Sequence, residues 1–162
     1  MSDTSLKGKV FWFLMTARIH RLSPDIRREG RMDLIIPILD PEGDDQKEFI
    51  KWTFGDLKGT DGVEAINHRD VHRLIKTYSS ASFDALRKRI KSKNCQTLED
   101  AIRVAKDILQ ADIAETRHYQ KLQALVNCTR RSLIFADDTS DEEVDKQRKA
   151  WRQELDRLEG KV

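Results

Sequence analysis

The pattern of the sequence changes at Asp40-Pro41, and that change limits the folds open to the chain. Before it lie two continuous apolar runs, "VFWFLMT" at 10–16 and "LIIPIL" at 34–39. After it, apolar residues recur every three to four positions, the period of a helix with one buried face. Continuous apolarity over six or seven residues marks a strand covered on both sides, as in a parallel sheet. Pro37 removes one ladder donor from the second run. The expected fold is mainly α, with two residual N-terminal strands ahead of a helical bundle and a C-terminal helical extension.

The helices announce themselves by their caps. Asp40-Pro41 reads as an N-cap followed by proline at the first helical position, with Phe49, Ile50, Thr53, Phe54 and Leu57 on one face. "GDLKGTDG" ends that helix, and a second carries Val71, Leu74, Ile75 and Tyr78. "YSSAS" then offers caps for a third, with Phe83, Leu86 and Ile90 inward. Thr97-Leu98-Glu99-Asp100 has the form of a capping box, and Leu98, Ile102, Ala105 and Leu109 follow on one face. After "QAD" the pattern resumes through Ile113, Leu122, Leu125, Val126 and Leu133, with "QKLQALVNCTRRSLIF" expected as a packed helix. "ADDTSDEE" at 136–143 is an acidic linker, and Ser140 with Glu143 opens a last helix. Its residues Val144, Arg148, Trp151, Leu155 and Leu158 alternate in steps of three and four, which fits packing on the chain's own helices or a short coiled coil.

Composition narrows the function classes. Thirty basic and twenty-eight acidic side chains leave a net charge of only +2, so the chain as a whole lacks the field of a nucleic-acid binder. Basic residues do gather from Arg69 to Lys93, but without the aromatic residues that stack on bases, and a solvated helix face is expected there. Cys95 and Cys128 are isolated, which fits a reducing, cytoplasmic compartment. "VFWFLM" is far shorter than the roughly 20 residues of a membrane span, so no membrane partner is expected. His68 and His72 stand four apart, but Arg69 replaces the glutamate of a zincin helix and no metal site is expected.

Fixed positive charge is concentrated in "RREGRMD" at 27–33, between the two apolar runs. A guanidinium stays charged and presents a rigid fork of donors, so clustered arginines at a turn suit phosphate or carboxylate recognition. They also suit a solvated loop in which Asp25, Glu29 and Asp33 act as counter-charges.

The segment from Phe11 to Ile50 resembles part of the AAA+ ATPase domain. The family's sensor 1 strand is followed by a pattern close to R-x-x-x-L-D-P-A-L-R-R-x-G-R-F-D. Its counterparts here are Arg18, Leu22, Pro24, Ile26, Arg27, Arg28, Gly30, Arg31 and Asp33, in matching order and spacing. "TYSSASFDALRKR" at 77–89 is similar to the family's helical-lid segment. The resemblance implies a division into the end of an α/β core (1–40), a helical lid (41–94) and a helical extension (95–162). It implies that Arg28 and Arg31 are arginine fingers reaching the γ-phosphate of ATP on a neighbouring subunit of a ring. Ser79, Ser80 and Ala81 would contact nucleotide from the lid, and Thr16, beside Ala17 at the sensor 1 position, would supply its polar group. ATP and Mg2+ would be the cofactors, and the partners would be other copies in a homo-oligomeric ring and a protein client. The sequence has no G-x-x-x-x-G-K-[ST], so it is expected to be the C-terminal part of such an enzyme, inactive alone, with Met1 an internal start. The alternative is a helical protein–protein interaction module derived from the lid that works without nucleotide.

Overall fold

The computed structural model describes residues 10–28, 30–58, 62–110 and 113–161. Glu29, residues 59–61 within "GDLKGTDG" and residues 111–112 within "QAD" lie outside the described residues, as does Met1. Among the described residues there are eight α-helices: α1 (Pro24–Arg27), α2 (Gly43–Phe54), α3 (Val63–Asn67), α4 (Arg69–Ile75), α5 (Ser80–Ser92), α6 (Leu98–Lys106), α7 (Ala114–Asn127) and α8 (Asp141–Leu158). Short 3-10 turns cover Ile19–Arg21 and Arg131–Leu133. The chain divides into two compact units, Ile38–Glu115 and residues 10–37 with 116–161.

In the unit Ile38–Glu115, α2 packs on α3 and α5, while α6 packs on α4 and α5. The apolar positions at helical spacing meet in one core: Ile50 and Phe54 from α2, Val71 and Ile75 from α4, Phe83, Leu86 and Ile90 from α5. Burying each of the larger side chains contributes about 1.5–3 kcal/mol. The Phe83 ring stacks on Phe49 and meets Tyr78 edge-on, so the core has a defined aromatic centre. Thr53 is buried, and its hydroxyl donates to the Phe49 carbonyl at 2.7 Å rather than remaining unpaired. Gly62 sits at φ +73°, and a Cβ there would lie 2.7 Å from both Cα and the carbonyl oxygen of Lys51. No other residue lets α3 approach α2 so closely.

Caps account for most helix starts. Ser79, one of the caps that "YSSAS" offers, accepts from the Ser82 N–H, and the expected caps Thr97 and Ser140 accept from the Asp100 and Glu143 N–H groups. Four expectations shift. The residue preceding α2 is Glu42 rather than Asp40, and α3 is a separate short helix between the expected first and second. The fourth expected helix ends at Lys106, which leaves Leu109 96% exposed. The expected packed helix over 120–135 stops at Asn127, whose side chain bonds back to the Gln123 carbonyl, and Thr129 turns away to pair with Ile35. The core joins Ala101, Ile102 and Ala105 of α6 to the helices before residue 94, so the compact unit continues to Glu115.

The two expected strands are not formed among the described residues. Residues 10–16 belong to no ladder, and Phe11, Phe13 and Met15 are at least 90% exposed. A strand exists only where a neighbour takes its N–H and C=O groups, and the described residues provide none for this run. Residues 34–39 are extended but covered on one side: Ile35, Pro37 and Leu39 are half-buried, while Leu34, Ile36 and Ile38 are exposed. The period of two belongs to an extended backbone, and continuous apolarity overstated its burial.

Candidate functional site

Ser23 and Pro24 set up the arginine turn. The Ser23 side chain accepts from the Asp25 N–H, and Pro24 at the first helical position favours α1, which lasts a single turn. The chain then passes Gly30 at φ +80°, a left-handed conformation that glycine adopts without strain. Arg31 and Met32 donate their backbone N–H groups to the Arg28 carbonyl, closing the turn.

Arg28 and Arg31 converge on one residue. The Arg28 guanidinium pairs with the Asp25 carboxylate at 3.1 Å, and Arg31 Nη1 donates to the Asp25 carbonyl at 3.4 Å. Both arginines are exposed, so the pairing is weak and open to exchange with a stronger anion. Thr16 lies upstream in the same unit, and its hydroxyl accepts from the Arg18 N–H at 3.0 Å.

The lid candidates belong to the other unit. Ser79 serves as the cap of α5 and shares a 3.0 Å hydrogen bond with the Ser82 hydroxyl, while Ser80 and Ala81 form the exposed first turn. The side chain of Ser79 is therefore engaged locally.

Sequence reasoning passed over the groups that hold the arginine turn. Arg27 is half-buried and donates to Asn127 Oδ1 of α7 at 3.1 Å. Asn127 in turn donates to Gln123, and Gln123 donates to Tyr119 and to Glu159 beyond the end of α8. Glu159 is held below its ordinary carboxylate range by the Lys161 ammonium, with a further hydrogen bond from Tyr119. Desolvation and the Glu159 carboxylate raise the Tyr119 phenol. The available signal was the spacing of Tyr119, Gln123 and Asn127, three polar-tipped side chains four residues apart on one helix.

Part of the basic stretch is paired with carboxylates: Arg87 and Lys91 meet at Asp56, and Lys88 pairs with Asp84. Beyond the stretch, Lys106 pairs with Asp70 and Arg103 with Asp100. Lys91 and Arg87 hold the Asp56 carboxyl below its usual range. Arg87 also lies over the Trp52 ring, 4.5 Å from its centroid. His68 Nδ1 accepts from the Asp70 N–H at the start of α4, and His72 contacts the Ile66 carbonyl. Cys95 and Cys128 are free thiols, the first pushed up in pKa by burial. Among the described residues no helix is long and apolar enough to cross a membrane.

Comparison with known proteins found no matching family model, no matching curated protein and no matching solved structure.

Proposed function

We propose that this chain supplies the arginine fingers and the nucleotide-covering lid of an AAA+-type ATPase that hydrolyses ATP as a homo-oligomeric ring and acts on a protein client. The observation that carries the reading is the arginine turn: Arg28 and Arg31, three residues apart, are exposed and meet at Asp25 around a glycine at positive φ. Two fixed cations aimed at one point suit the charge that gathers on a phosphoryl group in transfer. Asp25 would be their resting partner, exchanged for the γ-phosphate of a neighbouring subunit.

In this reading ATP and Mg2+ are held by a P-loop outside these 162 residues. ATP supplies the phosphoryl group, and this chain contributes positioning and charge. Thr16 lies upstream of the arginines, as a sensor 1 residue does, and Ser79–Ala81 begin the lid helix. The test is ATP hydrolysis by the chain expressed together with the coding sequence upstream of its Met1 codon. Replacing Arg28 or Arg31 with alanine lowers kcat by about 10³-fold or more while nucleotide binding persists. An unchanged kcat in both variants rejects the reading.

A second reading, a helical interaction module that works without nucleotide, is favoured by the apolar surface of residues 10–15, with Trp12 71% and Phe13 90% exposed. It gains if no P-loop is encoded upstream and the chain captures a partner in the absence of ATP.

A further inference from the structure

Three contacts tie the segment around the arginine turn to α7 and the residues just after it. The His20 ring meets the Tyr119 ring edge-on at 5.5 Å, Arg27 bonds Asn127, and the Ile35 N–H donates to Thr129 Oγ1 at 2.9 Å. The three anchors on the turn, 20, 27 and 35, meet 119, 127 and 129 in the same order. Arg28 and Arg31 lie between the second and third anchors.

The middle anchor ends a chain of hydrogen bonds with a single direction. A guanidinium can only donate, so Asn127 must turn its oxygen to Arg27. The Asn127 amide nitrogen then faces Gln123, donating to its carbonyl at 2.8 Å and to Oε1 at 3.3 Å. Gln123 is left with its own amide nitrogen facing the other way, where it meets Tyr119 Oη at 3.0 Å and Glu159 Oε1 at 2.7 Å. Every side-chain amide is thus oriented by a cation at one end and a carboxylate at the other. Bonds aligned head to tail polarise one another, and Gln123 is 5% exposed, so loss of the Asn127 amide takes from the buried Gln123 Oε1 the donor it has there. Arg27 Nε is buried without a partner, which makes the bond from Nη1 to Asn127 the point on which its placement depends.

We propose that the relay Arg27–Asn127–Gln123–Glu159 is a positioning device, by which α7 and the end of α8 fix the direction in which Arg28 and Arg31 point. The proposal rests on the finger reading of those two arginines. Anything that displaces the end of α8, such as a client or a neighbouring subunit, would release the turn. The residues of the relay are positioning residues, remote from the phosphate themselves.

Hydrogen–deuterium exchange on the full chain tests it, read at the amides of Ile26, Arg27, Arg31 and Met32, which are hydrogen-bonded within the turn. Asn127→Leu removes the link from α7, and Arg27→Met removes it from the turn without touching α7. Each is expected to speed exchange at these amides about 10- to 100-fold, the range for a lost hydrogen bond to a charged group. The double variant should add little to either single change, and Arg27→Lys, which retains a cationic donor, should recover part of the protection. The α5 amides serve as the folding control and should not change. Unchanged exchange in the turn, or effects that simply add, overturns the proposal.

In the ATP-hydrolysing assembly, Asn127→Leu should lower kcat with KM unchanged, and an equal kcat would also overturn the proposal. If exchange responds but Arg28→Ala and Arg31→Ala leave hydrolysis unchanged, the physical relay stands and its functional assignment falls with the finger reading. If exchange is unchanged while the alanine variants abolish hydrolysis, the relay alone falls.

Discussion

The two compact units bury different kinds of group. Ile38–Glu115 gathers thirteen buried apolar residues from all five of its helices, α2 to α6, and the adjoining loops into one core. Among the described residues, the unit formed by 10–37 and 116–161 has a smaller apolar cluster of Leu122, Val126 and Leu155, with Tyr119 and Trp151 at its edge, and Leu125 and Cys128 buried besides. Beside it runs the amide relay from Arg27 to Glu159, and residues 10–15 leave large apolar side chains in solvent. Apolar packing is strong and tolerant of direction, whereas hydrogen bonds contribute less but fix orientation. The first unit is therefore built for stability, and the second for holding a turn in one direction.

The largest expected contrast comes from removing one phenylalanine in each unit. Phe83→Ala empties the centre of the core and should cost about 3–5 kcal/mol in urea unfolding. Phe13→Ala removes a side chain that is 90% exposed and should change stability by no more than about 0.5 kcal/mol. Equal costs would show that residues 10–15 are packed in solution and would break the comparison.

Acid sharpens it. Glu159 has a folded pKa below its ordinary 4.5, chiefly because of Lys161, with Tyr119 and the charge of His20 acting in the same direction. A carboxylate of this kind stabilises the fold fully above its unfolded value of about 4.5, and the contribution is lost as pH falls through the depressed folded value. Exchange in α7 and the arginine turn should accelerate over that window, and Glu159→Gln should flatten the response there. Asp56 and Asp70, lowered by Lys91 and Lys106, give the other unit its own acid response. That response should survive the Glu159 change.

The smallest effect is expected to be equal in both units. Ser79→Ala and Ser140→Ala each remove one cap bond and should cost about 1 kcal/mol by thermal unfolding. A much larger loss at Ser140 would mean that α8 depends on its start more than on Leu155.

Local signals in the sequence were legible where a helix carries its own instructions. Ser79, Thr97 and Ser140 mark true starts, and the spacing of Ile50, Phe54, Phe83, Leu86 and Ile90 reports true burial. The runs at 10–16 and 34–39 misled because a strand is made by its neighbours, and apolarity alone does not state which neighbours are present. Leu109 kept the helical period beyond the point where α6 ends at Lys106. At the site, Gly30 and the spacing of Arg28 and Arg31 were visible as a turn bearing charge. Asn127 and Glu159 were not, since they lie 100 and 132 residues from Arg27 and only the fold joins them.

The central claim is that Arg28 and Arg31 act across a subunit boundary, and a mixing experiment tests it most directly. One population of the protein, expressed with its upstream coding sequence, carries Arg28→Ala and Arg31→Ala, and a second carries a disabled P-loop lysine. Each alone should hydrolyse ATP at background rates. Mixed, they should regain activity at the interfaces that combine an intact P-loop with intact arginines. A mixture as inactive as its components, under conditions where unmodified subunits exchange freely, would contradict the account.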